Sequence, residues 1–185
     1  MEKTDPLGII YLIADATDLP FSSGSFDFAT AFMSMMDMAD QGQALREAAR
    51  ILRPGGFLQF SILHPCFVPP HRRTLREPDG TTRAIEVAGY FDNIDGRIDT
   101  FWMTNAPKEE RERVEPFRIP RFHRTLSAWV ELIVEAGLVI GAFGEPRVSV
   151  EIAKAEPALE DTLVAPLFLH IRALKGTEST RSRQS

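Results

Sequence analysis

An α/β fold with a largely parallel sheet is predicted by three features of the 185-residue sequence. Apolar, β-favouring runs at 9–13, 26–32 and 57–63 are continuous rather than alternating, as in strands buried on both faces of a helix-covered sheet. Between the second and third runs the period changes, with Ala44, Leu45, Ala48, Ile51 and Leu52 on one helical face and Arg46, Glu47 and Arg50 on the other. Strand, helix and strand of these lengths form a right-handed crossover, which sets neighbouring strands parallel.

The run 9–13 is stopped by DATDLPF, which leaves Asp15 at the carboxyl end of a first strand. Turn residues at 22–25 then open a second strand, read as central in the sheet, over Phe26–Phe32. Asp40 stands directly before the helix and is its expected N-cap, while Pro54, Gly55 and Gly56 end it. The third strand runs into His64 and Pro65. Residues 67–120 break the rhythm with arginines, prolines and scattered aromatics and read as an antiparallel insertion. Within them AIEVAGYF and RIDTFWMT flank Asp95-Gly96, which predicts a hairpin joining the two and presenting Tyr90, Phe91, Phe101 and Trp102. Thr125 is positioned to cap a second helix striped with Leu126, Trp129, Val130 and Ile133 and ended by Gly137. Strands are expected at 138–143 and 167–174. A single domain over 1–174 is therefore expected, followed by a polar tail at 175–185 that lacks apolar anchors and reads as disordered.

With 26 acidic against 21 basic residues the net charge is −5, which argues against nucleic-acid binding through the overall field. One cysteine, Cys66, leaves no internal disulfide and favours a reducing cytoplasm. No apolar stretch approaches the roughly 18 residues of a membrane span, and no charged-then-apolar leader stands at Met1. The four histidines show no metal-ligand spacing, so no metal site is expected.

Two stretches, DATDLPFSSGSFDFATAFMSMMDMAD and ALREAARILRPGGFLQFSILHP, resemble the class I S-adenosylmethionine-dependent methyltransferases of the small-molecule type. The order of an acid-Ala pair after a strand, LPF, SFD opening a strand, R-x-L-x-P-G-G and a strand leading to a polar residue and Pro carries the resemblance. HRTLSAWVELIVEAGLVIGAFGEPRV is similar to the helix-strand segment that follows in that family. The resemblance implies a Rossmann-like sheet with an antiparallel final strand, S-adenosylmethionine as cofactor and a small-molecule methyl acceptor, with 67–120 standing where the family carries its variable substrate cap. It also implies a glycine-rich turn and a ribose-binding acid ahead of the first strand seen here, and no GxGxG occurs in these 185 residues. The expectation is a truncated methyltransferase sheet that binds the cofactor weakly and self-associates through exposed strand edges. The alternative is a non-catalytic remnant of the fold acting in binding or assembly.

The resemblance places adenine against Asp15 and Ala16, with Thr17 adjacent; a carboxylate followed by a backbone N–H suits an aminopurine edge, although Asp15 also suits a loop-stabilising turn. Phe32 and Met33 fall at the strand end where the family's cofactor passes. Met36, with its neighbouring methionines, offers either a polarizable wall for substrate or plain packing. Asp37 is a polar substrate contact or a cap. His64, at the carboxyl edge, is read as a general base or as a hydrogen-bonded structural histidine. Trp102 from the insertion, with His123 and Arg124 at the start of the second helix, completes the expected substrate side.

Overall fold

The computed structural model describes residues 3–4, 8–102, 107, 109 and 113–177. A short antiparallel pair, β1 (Lys3–Thr4) with β2 (Ile10–Tyr11), precedes the main sheet. Then come β3 (Phe26–Phe32), a 3₁₀ turn at Met35–Asp37, α1 (Gln41–Ile51) and β4 (Leu52–Leu63). The insertion supplies β5 (His71–Arg76), β6 (Thr82–Ala88), β7 (Asp95–Phe101) and β8 (Phe117–Phe122). The chain closes with α2 (Leu126–Glu135), β9 (Leu138–Gly144), α3 (Val150–Ala155), a 3₁₀ segment at Pro157–Leu163 and β10 (Phe168–Lys175).

The main sheet has the order β3-β4-β10-β9, with β3 parallel to β4 and the final strand β10 antiparallel to both of its neighbours. Helix α1 forms the expected crossover, and both helices start where their caps predict. Asp40 Oδ1 accepts from the Gln43 N–H at 2.8 Å, and Thr125 Oγ1 accepts from the Ala128 N–H at 3.2 Å. Gly137 ends α2 with φ of 77°, a left-handed conformation that glycine adopts without a Cβ clash. One face of the sheet, carrying Leu58, Phe60, Ile62, Leu169, Ile171 and Ala173, packs against Leu45 and Ala48 of α1 and Trp129 and Ile133 of α2. Among the described residues no helix is long and apolar enough to cross a membrane.

Four expectations are corrected. The run 9–13 is not buried on both faces: all five side chains are exposed, and among the described residues its strand pairing is with the two-residue β1 and not with the main sheet. Among the described residues Phe26–Phe32 is an edge strand rather than a central one, paired with β4 on one side. The insertion is antiparallel as expected, but its strands pair differently: β6 turns back on β5, and β7 pairs with β8. The turn that decides this is Glu77–Thr81, where Gly80 at φ of 90° donates its N–H to Glu77 O and Asp79 Oδ1 accepts from the Thr81 N–H and hydroxyl. Lys175, placed in the tail by sequence, ends β10, with its Nζ on the Leu52 carbonyl at 2.6 Å; residues 178–185 lie outside the described residues.

Candidate functional site

The carboxyl ends of β3 and β4 are tied to each other by the residue that leaves β3. Met33 turns with φ of +51°, the one non-glycine residue with positive φ among those described, and its N–H reaches both Ser61 O and Ser61 Oγ, at 3.0 and 3.1 Å. The two Ser61 acceptors hold this left-handed methionine by its amide. The chain then folds into the Met35–Asp37 turn, which packs toward β8 of the insertion. Phe32, just before, stays exposed.

Met36, His123 and Arg124 line a crevice of about 10 Å3 together with Leu63, Arg121 and Trp129. His123 is buried, and its Nε2 bonds the Tyr90 carbonyl at 2.8 Å. That carbonyl can only accept, so Nε2 carries the proton and Nδ1 the lone pair. Burial, aided by Arg121 and Arg124, depresses the His123 pKa and keeps the ring neutral. The Tyr90 hydroxyl accepts the Leu126 N–H at 2.9 Å, so one tyrosine fastens the insertion to the first turn of α2. Tyr90 therefore meets His123.

Asp37 does not cap α1, a task Asp40 performs. Its carboxyl is pushed up to about 6 by burial, with Arg121 opposing and Asp99 reinforcing the shift. A folded pKa above the unfolded value of 3.8 means that ionised Asp37 costs stability, increasingly as pH rises through about 6. Asp37→Asn is accordingly expected to stabilise the protein at pH 8 by about 2–3 kcal/mol, on the scale of 1.36 kcal/mol per pKa unit, and to leave it unchanged at pH 4. Urea midpoints at the two pH values check this; equal effects at both would show that packing, not charge, governs the position.

His64 is 3% exposed and both its nitrogens are engaged. Nδ1 accepts the Cys66 N–H at 3.2 Å, so Nε2 carries the proton toward Glu145 Oε1 at 2.9 Å. Glu145 follows β9 and lies 81 positions away, which no local pattern in the sequence reveals. Trp102 is exposed at the end of β7 and joins none of these groups.

At the other end of the edge, Asp15 Oδ1 accepts both the Thr17 N–H and the Thr17 hydroxyl, each at 2.8 Å, and these bonds hold its carboxyl below the usual range. The loop-stabilising role anticipated for Asp15 thus uses only one of its oxygens. Oδ2 and the Ala16 N–H, an acceptor and a donor on successive residues, have no hydrogen-bond partner among the described residues. The Thr17 carbonyl accepts from Gln43 Nε2, and the following LPF turn is clamped by α1: Glu47 takes the Leu19 N–H, and Arg50 donates to the Leu19 and Phe21 carbonyls. Arg50 and the Leu19 N–H hold the Glu47 pKa down to about 2. A larger hollow of about 730 Å3 lies at the opposite, amino-terminal edge beside Arg46, Val134, Val139 and Lys175, and of the residues above Arg50 alone lines it.

The family described as "Methyltransferase domain" matches residues 2–60. An O-methyltransferase from Penicillium expansum is 45% identical over 65 residues, 33% of this chain and 24% of that protein. A ubiquinone/menaquinone biosynthesis C-methyltransferase from Idiomarina loihiensis is 41% identical over 67 residues, 32% of this chain and 27% of that protein. The chain thus matches about a quarter of the length of these curated relatives. Crystal structures of S-adenosylmethionine-dependent methyltransferases from Mesorhizobium loti and Listeria monocytogenes superpose with TM-scores of 0.67 and 0.68 at 22% and 20% identity. They cover 92% and 93% of this chain, which in turn covers 71% of each of theirs. Residues 2–60 therefore match the methyltransferase-domain family, and the chain has the Rossmann-like fold seen in the S-adenosylmethionine-dependent methyltransferases.

Proposed function

We propose that this chain is the substrate-side part of an S-adenosylmethionine-dependent methyltransferase acting on a small molecule. The observation that carries the reading is that Asp15 Oδ2 and the Ala16 N–H, an acceptor and a donor on successive residues, have no partner among the described residues, in the segment that matches the methyltransferase domain. These two groups hold the adenine, with Thr17 fixing the carboxylate. Phe32 and Met33 line the path toward the strand end. When bound there, S-adenosylmethionine supplies an electrophilic methyl group. Met36, Asp37, His123 and Arg124 face the methyl acceptor, with the insertion over them, and Trp102 borders its open side. A half-buried carboxyl poised near 6 suits Asp37 to take the acceptor's hydroxyl proton near neutral pH. His64, whose lone pair is spent on Cys66, positions the junction between β4 and the insertion through Glu145. The single cysteine and acidic charge fit a cytoplasmic enzyme that does not bind nucleic acid.

Only the adenine contacts and the strand-end pocket are supplied by these residues, because no glycine-rich turn or ribose-binding acid accompanies them. If the absent contacts are worth about 3–4 kcal/mol, affinity falls by more than a hundredfold, since each 1.4 kcal/mol is tenfold. Calorimetric titration of the 185-residue chain with S-adenosylmethionine is expected to give submillimolar or weaker binding, weakened further by Asp15→Ala. Tight stoichiometric binding unaffected by Asp15→Ala would overturn the placement of the adenine. A second reading, a non-catalytic module that binds or assembles, including with its own copies, is favoured by the free edge of β3. Negligible turnover together with a concentration-dependent mass would support it.

A further inference from the structure

The β7–β8 hairpin has two faces, and its register decides which side chains share one. Asp99 pairs with Ile119 and Phe101 with Phe117, and the alternation of a strand puts Arg97 and Arg121 on the same side as these four. The contacts agree. Arg97 Nε donates to Asp99 Oδ1 at 2.9 Å and Arg121 Nη1 to Asp99 Oδ2 at 3.4 Å, while the Phe101 and Phe117 rings stack with centroids 5.6 Å apart and planes 23° apart. This face is therefore charged at the base of the hairpin and aromatic toward its tip.

The charged end is turned toward the Met35–Asp37 turn. Arg121 lines the crevice with Met36 and donates its Nη2 to the Val68 carbonyl, and the charges of Arg121 and Asp99 both act on the Asp37 carboxyl. The aromatic end lies two residues farther along each strand, a rise of about 7 Å from Asp99 to Phe101. There the rings meet solvent: Phe101 is 42% exposed and Phe117 50%. The bonds that tie the insertion to α2 and to the 3₁₀ segment at Pro157–Leu163 involve neither ring. A stacked pair left open to water gains free energy when its outer surface is covered, and the offset-stacked and edge contacts that aromatic rings prefer make a third ring a better cover than a saturated one.

We propose that Phe101 and Phe117 form the recognition wall of the acceptor site, and that the acceptor is a planar aromatic small molecule carrying a hydroxyl group, its ring against the two phenylalanines and its hydroxyl toward Asp37. The proposal rests on the reading of this chain as the substrate side of a methyltransferase, from which it takes the existence of an acceptor. The wall itself rests on the hairpin register, the ring contact and the exposure of the pair. A ligand with an apolar flat body and one polar end matches a face that changes from aromatic to charged over the same distance.

The probe is 2-naphthol, set against decahydro-2-naphthol, which keeps the hydroxyl and the two-ring skeleton but is neither flat nor aromatic. Binding to the 185-residue chain is followed by amide chemical shifts at 36–37, 99–101 and 117–121. No cofactor is present, so loss of naphthol binding bears on the wall, whereas loss of S-adenosylmethionine binding in Asp15→Ala bears on the methyltransferase reading. 2-Naphthol is expected to shift these amides and to bind about tenfold more tightly than its saturated counterpart, the scale of one or two ring contacts. Combining Phe101→Ala with Phe117→Ala is expected to remove that advantage. Phe101→Tyr should retain it, and so should Phe91→Ala, which deletes a ring that is 86% exposed elsewhere on the insertion. The comparison of the two probes uses the parent chain and stands even if the double variant fails to fold. Equal binding of the two probes overturns the proposal, as does a naphthol advantage that the folded double variant keeps. So does a concentration-dependent mass of the parent that the double variant abolishes, which would make the ring pair a contact with another copy.

Discussion

Replacing Trp129 by alanine is expected to cost about 3–5 kcal/mol of folding stability, the range for truncating a fully buried large aromatic. Trp129 is 2% exposed and packs on Phe60, itself fully buried, with ring centroids 5.9 Å apart. It is the largest side chain in the interface between α2 and the sheet, and one rim of it faces the crevice at His123. A domain of this size has about 5–15 kcal/mol in total, and one with an uncovered sheet face belongs toward the lower end. Trp129→Ala should therefore populate the unfolded state at 37 °C, whereas Trp129→Phe should retain much of the lost stability because it keeps an aromatic against Phe60. Urea denaturation followed by circular dichroism checks this. A midpoint for Trp129→Ala equal to that of the parent would show that α2 is not part of the cooperative core.

The elements legible in the sequence are those whose signals are local. Asp40 and Thr125 announce helix starts because a cap acts over three residues, and the change of period after Asp40 announces the crossover because a helix buries one stripe. The edge position of β3 is not legible for the converse reason. A run such as FDFATAF reports the burial its side chains suit, and the sheet present here does not supply it. The same holds for Ile9, Ile10 and Tyr11. Strand pairing in the insertion is misleading in the sequence because two turn signals compete. Pro78-Asp79-Gly80 closes β5 on β6, while Gly96, at φ of 79°, sits at a register shift within β7 instead of at a hairpin tip. At the site, Asp15 bonds Thr17 two residues on, within reach of local sequence signals, whereas Met36 and His123 line one crevice from distant segments. The bond from His64 to Glu145 spans 81 positions and the anchoring of Tyr90 on α2 spans 36, distances over which periodicity carries no information.

Asp161 is expected to decide whether the β5–β6 hairpin stays on the body of the protein. It is 7% exposed and gathers four donors: Arg72 Nη2 at 2.7 Å, Thr74 Oγ1 at 2.8 Å, Thr82 Oγ1 at 3.0 Å and, more loosely, Arg76 Nη2 at 3.4 Å. Glu160 beside it takes Arg76 Nη1 at 2.7 Å, so both strands of the hairpin are held by one 3₁₀ segment. The Arg72 Nε is already buried without a partner, which makes Asp161 the counter-charge on which this guanidinium depends. Removing one member of a buried pair strands the other, so Asp161→Asn is expected to cost about 2–4 kcal/mol and Asp161→Ala at least as much. The pH dependence has a definite sign. Burial raises the Asp161 pKa, but the hydrogen bonds from Arg72, Thr74 and Thr82 outweigh it and leave it below the ordinary 3.8. A depressed folded pKa gives stability that is complete above the unfolded value and is lost as pH falls through the folded one. Exchange protection of 71–76 and 82–88 should therefore hold down to pH 4 and disappear below it in the parent protein, and Asp161→Asn should lower it at neutral pH. Protection that survives acid in the parent, or that Asp161→Asn leaves untouched at pH 7, would mean that the hairpin is held by its apolar contacts and not by this carboxylate.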